Sequence, residues 1–222
     1  MKKNLLVLAF LVGLLTCCKS EDAPIKPVKP TDPGSINKEY MSRAETTFAN
    51  IFKYYWSDKV RMMFGSYPNT LGTPQEPSSP DYDSHAFLWG LGSVVSAFNA
   101  IVQNTDNVDF RMTYESRLKE TLLKYYNTTK EPMCFGCFVN PHDQRLYDDA
   151  IWVGIDLADL YSKTKDSWYL DYAKSVWNFV LSGKDDELGG GVYWDENAKD
   201  SKNTCSNAPA VVLALKLYQI TN

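Results

Sequence analysis

Apolar side chains at helical spacing run through most of the sequence, in six separate segments. In the first segment they recur three and four positions apart and so share one helix face: Phe48, Ile51, Phe52, Tyr55 and Trp56. The other segments cover residues 84–102, 110–126, 148–161, 166–181 and 207–218. Strand signals are scarce, and only residues 189–195 suggest a short hairpin or an aromatic-bearing loop. The sequence therefore predicts an all-α fold with long loops.

The six segments alternate in character, which predicts two layers. The first, third and fifth are amphipathic, as an outer layer would be, whereas the second, fourth and sixth are more apolar. The sixth, AVVLALKLY, is apolar nearly all round and is predicted to be buried. Helical hairpins whose inner members ring an axis form an α/α toroid. Its inner helices would begin at one rim, where Asp83-Ser84-His85, Asp148-Asp149 and residues 203–207 would lie.

Composition narrows the class of partner. The 222 residues are 44% apolar and 23% charged, as in a soluble globular domain, and carry a formal charge of −4. No basic footprint is present, so we expect no nucleic-acid partner. Aromatic residues reach 14%, which suits stacking on sugar faces and equally suits an aromatic core.

The N-terminus is typical of a secreted lipoprotein. Lys2 and Lys3 precede an apolar run, 5–15, that is too short to span a bilayer. The run ends in LTCC, which resembles a bacterial lipobox with Cys18 as the lipidated residue. Cys17 is the alternative, and a plain secretory signal with incidental cysteines is a second one. Residues 1–18 are therefore predicted to be a lipoprotein signal segment.

A proline-rich tether is predicted between this anchor and the folded domain. Residues 19–36 are polar and hold four prolines, which favour extended chain. Glu21 and Asp22 resemble the surface-export signal of some Gram-negative lipoproteins. We therefore expect a domain over 37–222 in the bacterial cell envelope, bound to the outer membrane by a lipid anchor and exposed at the surface or facing the periplasm.

The remaining cysteines leave several readings open. Cys134 and Cys137 form a CxxC pair, which is found in zinc sites, redox sites and ordinary loops. A structural zinc site needs about four ligands, and the chain offers only His85 and His142 beyond its cysteines and acids. We predict free thiols or a short disulfide, with no metal and no cofactor.

Asp148 and Asp149 can be interpreted in two ways. Aspartate is a preferred N-cap, and acids in a first turn are favoured by the helix dipole. The same pair also suits glycoside hydrolysis, which needs one ionised and one protonated carboxyl group. The helix dipole favours one anion, while the nearby like charge holds a proton on the other group. Trp152 follows one turn later and could form a wall of a sugar site.

Three motifs in this chain resemble one known family. The stretch RLYDDAIW, 145–152, looks like the YDDxxW signature of glycoside hydrolase family 76, the bacterial endo-α-1,6-mannanases. LGGGVYWDE and NTCSNAP, in 188–196 and 203–209, are similar to that family's glycine-aromatic loop and its Asn-x-x-Ser-Asn-x-Pro segment. The resemblance runs from about Tyr40 to residue 222.

The resemblance implies an (α/α)6 barrel and a retaining mechanism on α-1,6-linked mannan or manno-oligosaccharides. Asp148 resembles the nucleophile and Asp149 the general acid/base. Further substrate-binding candidates fall on segments that line the family's cleft or on the rim: Tyr147, Trp152, His85, Trp89, Trp194, Asp195, Asn203, Ser206 and Asn207. Trp89 and Trp194 could equally belong to the core.

One departure from the family concerns length. The family's barrel has about twelve helices, whereas this chain supplies about six, so only the first half of the toroid is expected. An incomplete toroid would expose an apolar edge, which suggests a fragment of a longer protein or a chain that pairs with a partner. A non-catalytic glycan-binding lipoprotein is therefore the alternative function. A sugar epimerase or lyase on the same toroid is a third, although it would draw on few histidines.

Overall fold

The computed structural model describes residues 33–68, 85–139 and 144–222. The predicted signal segment, Cys18, most of the predicted tether, Asp83-Ser84 and His142 lie outside these residues. The chain divides into two units, 1–38 and 39–222. In the first unit the described residues, 33–38, are helical. All further contacts given below lie within the second unit.

Six α-helices account for most of the described residues, as the periodicity predicted. They are α1 (Pro33–Tyr55), α2 (Leu88–Asn104), α3 (Val108–Tyr125), α4 (Tyr147–Thr164), α5 (Ser167–Ser182) and α6 (Thr204–Thr221). Helix α1 begins with proline at its first position, where the missing backbone N–H costs no hydrogen bond. The start of α1 also places residues 33–36, the last part of the segment predicted as a tether, in a helix.

Short strands connect the helices. β1 (Trp56–Ser57) pairs antiparallel with β2 (Met62–Met63), and β3 (Tyr126–Asn127) pairs antiparallel with β4 (Cys134–Phe135). The glycine-aromatic segment forms a loop with a short 3₁₀ turn, Glu187–Gly189, and isolated bridges rather than a hairpin. Three successive glycines, 189–191, all have φ between 86° and 89°, a backbone conformation that other residues rarely adopt.

Two layers form as the sequence predicts. Helix α4 packs between α2 and α6 in the inner layer, and it also packs against α5 of the outer layer. Most residues of α4 from Tyr147 to Leu160 are buried, and Gly154 is one of them. A Cβ atom on Gly154 would lie 2.9 Å from Val176 Cγ1 of α5 and 3.1 Å from Leu213 Cδ2 of α6. Glycine at this position therefore allows α5 and α6 to approach α4 together.

An aromatic cluster joins the first three helices. Phe48 of α1 packs against Phe98 of α2 and against Phe110 and Tyr114 of α3, with ring centroids 5.1–6.1 Å apart. At least part of the high aromatic content thus serves the core, one of the two uses that the composition allowed.

A polar network lies within the inner layer. Asp156 of α4 accepts hydrogen bonds from Ser96 and from Asn99 Nδ2 of α2, the latter at 2.9 Å. Burial raises the pKa of Asp156 against the effect of these two bonds. One turn further on, Lys216 Nζ of α6 lies 2.5 Å from Asp159 Oδ1. The three inner helices are therefore joined by hydrogen bonds and an ion pair as well as by apolar contacts.

Helix α6 departs from the prediction that it is buried all round. Leu213 and Leu217 are buried, but a second face is exposed over Val211, Val212, Leu215 and Tyr218. Among the described helices, α6 packs mainly against α4 and less closely against α5. The apolar pattern on its own did not distinguish a helix packed on all sides from one packed on a single side. No helix among the described residues is both long and apolar enough to cross a bilayer.

Candidate active site

Asp148 and Asp149 occupy the first turn of α4 but do not cap it. The N-cap residue is Leu146, which is extended and makes no side-chain capping bond. The interpretation of the pair as a solvated helix cap is therefore wrong in this respect. Both carboxyl groups still lie at the positive end of the helix dipole, which favours negative charge.

Asp149 is a carboxyl group whose surroundings favour its protonated form. Burial, followed by the negative charge of Asp148, raises its pKa from the ordinary 3.8 to about 6. The Cys137 thiol donates a hydrogen bond to this carboxylate and acts in the opposite direction. At neutral pH and just below it, Asp149 can therefore give up and regain a proton, as a general acid/base must.

Asp148 has different surroundings. Its Oδ2 accepts a hydrogen bond of 3.2 Å from the indole Nε1 of Trp194, while Oδ1 is buried without a hydrogen-bond partner. The Cys205 thiol, in the first turn of α6, also lies beside this carboxylate. Residues from α4, α6 and the glycine-aromatic loop therefore meet at one carboxyl group.

Backbone hydrogen bonds hold the glycine-aromatic loop against the start of α4. The Tyr147 amide donates to the Trp194 carbonyl at 3.0 Å, and Leu146 forms a bridge with Asp195. The Asn207 side chain of α6 also holds the loop, since its Nδ2 donates to the Val192 carbonyl and its Oδ1 accepts from the Val192 amide at 2.8–2.9 Å. The three sequence motifs are therefore parts of one structural unit.

A cavity of about 290 Å³ opens beside Asp149. Its lining is mostly apolar and comes from α2 and α4: Trp89, Gly92, Ser93, Ser96, Asp149 and Trp152. Trp89 is 55% exposed and Trp152 43% exposed, so neither ring belongs to the closed core. The cavity thus combines two accessible aromatic rings, two hydroxyl groups and one carboxyl group.

Several other predicted substrate-binding residues make contacts within the protein. Tyr147 is buried and stacks on Phe179, with ring centroids 4.3 Å apart, which contradicts its expected position on the rim. The Asn207 side chain is occupied by the loop, and the Asp195 carboxylate accepts from the Asn197 amide at 2.7 Å. The Asn203 carbonyl accepts from Asn207 Nδ2 at 3.0 Å, so Asn203 also acts through its backbone.

His85 and Ser206 are the remaining predicted substrate-binding residues. His85 forms a bridge with Phe64, and burial and the nearby Lys124 lower its pKa. These two neighbours belong to the segment after β2 and to α3, and His85 is not among the residues that line the cavity. Ser206 is fully buried next to Cys205.

The thiols have an arrangement that the CxxC pattern did not indicate. Cys134, Cys137 and Cys205 are free, so the short disulfide considered for the first two is not formed. Cys134 is fully buried in β4, whereas Cys137 turns toward Asp149. Among the residues described, no three His, Cys, Asp or Glu side chains are grouped so that they could hold a metal ion. The proximity of Cys137 and Cys205 to the carboxylates had no signal in the sequence, because each contact depends on chain folding.

Comparison with known proteins agrees with this architecture. The sequence profile of Glycosyl hydrolase family 76 matches residues 39–222. No curated protein matches the chain in sequence. A family 76 glycoside hydrolase from a bovine Bacteroides thetaiotaomicron strain is 30% identical with a TM-score of 0.69, over 82% of this chain and 38% of that one.

Two further structures are similar. A family 76 enzyme of Bacteroides thetaiotaomicron VPI-5482, described as a mannosidase, is 25% identical with a TM-score of 0.69, over 82% of this chain and 49% of that one. An inactive α-1,6-mannanase variant from Salegentibacter sp. HEL1_6, with two adjacent aspartates changed to alanine and α-1,6-mannotetrose bound, is 21% identical with a TM-score of 0.58. Here 82% of this chain covers 45% of that one.

The chain spans less than half the length of these three proteins, and its helices match part of their (α/α)6 toroid. The profile match covers nearly all of the second unit, including the Asp148-Asp149 pair and the loop that holds Trp194. The chain therefore belongs to glycosyl hydrolase family 76.

Proposed function

We propose that this protein hydrolyses α-1,6-linked mannan by a retaining, double-displacement mechanism. The observation that supports this most directly is the unequal Asp pair. Asp149, with its pKa raised to about 6, borders a cavity with two exposed tryptophans, and Asp148 next to it accepts a hydrogen bond from Trp194. Retaining glycosidases require such a division between a proton donor and a nucleophile.

In the first step, protonated Asp149 donates its proton to the glycosidic oxygen as the bond between that oxygen and the anomeric carbon breaks. The Asp148 carboxylate attacks the anomeric carbon and forms a glycosyl ester. In the second step, ionised Asp149 removes a proton from water, which attacks the same carbon and releases Asp148. The two carboxyl groups return to their starting protonation states.

The cavity supports a carbohydrate substrate. Trp89 and Trp152 offer apolar ring faces on which the C–H face of a hexose can stack. The Ser93 and Ser96 hydroxyls donate to the Trp89 carbonyl and to Asp156, so their oxygens can accept hydrogen bonds from sugar hydroxyls. Mannan is the proposed polymer because similar structures belong to a mannosidase and to an α-1,6-mannanase.

The proposal includes the cellular position. Cys18 would be lipidated after removal of the signal segment, and the tether would hold the enzyme at the surface of the outer membrane. Incorporation of labelled palmitate into the wild-type protein and its loss in Cys18→Ser would support this part. A wild-type protein released into the medium without lipid would contradict it.

The decisive experiment measures reducing ends released from α-1,6-mannan by residues 19–222, which lack only the predicted signal segment. Asp148→Asn and Asp149→Asn should each abolish release. Asp171→Asn, which changes an exposed carboxylate on outer helix α5, is the matched control and should retain activity. Circular dichroism spectra would show that each variant is folded.

Two other outcomes would contradict the proposal. Mannan binding by folded protein without release would favour the non-catalytic glycan-binding lipoprotein. Release that survives both aspartate changes would exclude the assigned mechanism.

A further inference from the structure

The two catalytic candidates share one helix turn and one helix dipole, so these features cannot explain why they would differ in role. Their side-chain neighbours do differ. Trp194 Nε1 donates to Asp148 Oδ2 at 3.2 Å, whereas the corresponding neighbour of Asp149 is the weakly donating thiol of Cys137.

Backbone hydrogen bonds hold the chain segment of Trp194 beside the start of α4 independently of this bond. The Trp194 carbonyl accepts from the Tyr147 amide at 3.0 Å, and the Trp194 amide donates to the Ser201 carbonyl at 3.2 Å. Tyr147 directly precedes Asp148, so the indole and the carboxylate extend from two chain segments that are tied together next to them. Backbone hydrogen bonds therefore bring the indole of Trp194 close to the carboxylate of Asp148.

An indole N–H can donate a hydrogen bond but cannot accept one. Its bond to Asp148 is consequently strongest when Asp148 is an anion. An anionic Asp148 in turn favours retention of the proton on Asp149, through repulsion between the two negative charges. A single hydrogen bond at one carboxyl group thus affects both members of the pair.

We propose that Trp194 is a positioning residue for Asp148, which holds its carboxylate oriented and ionised as the nucleophile and thereby leaves the proton on Asp149. The consequence for rate rests on the proposed function, whereas the contact and its effect on ionisation do not. The other titratable groups around Asp148 are Asp149 on the same helix, Cys137 from the loop after β4 and Cys205 on α6.

Nuclear magnetic resonance of the ¹⁵N-labelled chain tests the contact without any substrate. The chain has six tryptophans, and the indole signal lost in Trp194→Phe identifies Trp194. In the wild type this signal should move as the pH falls and the carboxyl pair takes up its first proton. It should be displaced in Asp148→Asn and unchanged in the control Asp171→Asn. A Trp194 signal that is unaffected by Asp148→Asn would overturn the inference.

Steady-state kinetics test the expected effect of Trp194 on the rate. Trp194→Phe keeps an aromatic ring but removes the donor, so kcat should fall about tenfold or more with little change in KM. The pH–rate profile should also change, because the distribution of protons over the Asp148-Asp149 pair changes. Trp168→Phe, on outer helix α5, should keep the wild-type profile.

Failure of the positioning role and failure of the proposed function give different results. A Trp194 signal that follows Asp148, in a protein that does not hydrolyse mannan, would support the ionisation effect and contradict the proposed function. An active Trp194→Phe enzyme with the wild-type profile would overturn the positioning role and leave the proposed function standing.

Discussion

Arg145 and Glu196 form an ion pair that connects the start of α4 to the loop after Trp194. The Arg145 side chain is fully buried, and its Nε donates to Glu196 Oε2 at 2.8 Å while a second nitrogen donates to Oε1. Its remaining nitrogen donates to the carbonyls of Lys130 and Pro132. Burial alone would raise the pKa of Glu196, but the bonds from Arg145 and Lys130 outweigh it and lower that pKa.

Arg145→Met should strongly destabilise the fold. It leaves Glu196 without its main partner and two carbonyls without a donor, and breaking a buried pair costs about 3–5 kcal/mol. The free energy of unfolding in urea would measure the loss. The matched control is Arg43→Met, which removes the exposed pair with Glu39 and should cost less than about 1 kcal/mol. Equal losses of unfolding free energy in the two variants would mean that the buried pair stabilises the fold no more than the exposed pair does.

Asp149→Asn should stabilise the protein at neutral pH while abolishing activity. The folded state raises the Asp149 pKa from 3.8 to about 6, so it holds the proton more tightly than the unfolded chain does. The resulting stabilisation is complete below about pH 4 and is lost as the pH rises to about 6. An amide avoids this loss, so we expect a gain at pH 7 of at most about 3 kcal/mol.

Urea unfolding at pH 4 and pH 7 measures this effect. The gain from Asp149→Asn should be present at pH 7 and nearly absent at pH 4. Asp171→Asn should show no such difference between the two pH values. A gain of the same size at both would show that charge burial is not its cause.

The sequence predicted the helices well because their cause is local. The spacing of Leu91, Val95 and Phe98 is a property of one segment, and it placed α2 within a few residues of its true limits. The Asp pair was also recognisable, because its neighbours in the chain form a motif. Contacts between distant segments were not predictable in this way: Trp194 reaches Asp148 across 46 positions. The exposed face of α6 was missed for a similar reason, since hydrophobicity does not specify what packs on each side.

Gly154→Ala should destabilise the inner layer, although alanine favours helices. Alanine normally gains about 1 kcal/mol over glycine in a helix. Its Cβ at this position would lie 2.9 Å from Val176 and 3.1 Å from Leu213, and overpacking of this kind costs about 1–3 kcal/mol. Gly90→Ala is the matched control, because the nearest atom to its Cβ would be Ala86 Cβ at 3.7 Å. Thermal unfolding should show a lower Tm for Gly154→Ala and an equal or higher Tm for Gly90→Ala.

Asp148→Asn should make Cys205 more reactive. Burial and then the Asp148 carboxylate raise the pKa of this thiol, and the thiolate is the reactive form. Removing the negative charge should therefore speed alkylation of Cys205 by iodoacetamide at pH 7.5, as followed by mass spectrometry of its peptide. Cys134 is buried with its pKa raised to about 12 and should remain unmodified in both proteins, which makes it an internal control. An unchanged Cys205 rate would mean that the thiol and carboxylate do not interact in solution.

Trp89→Ala should weaken binding of manno-oligosaccharides. Its ring is 55% exposed at the cavity beside Asp149, so its loss removes a stacking surface and little core packing. Aromatic contacts contribute about 1 kcal/mol, which corresponds to roughly a fivefold rise in Kd. Calorimetric titration in an Asp149→Asn background would measure binding without hydrolysis. Tyr218→Ala removes a ring of α6 that is also exposed but lies outside the cavity, and it should leave Kd unchanged. A comparable loss in both variants would place the sugar elsewhere.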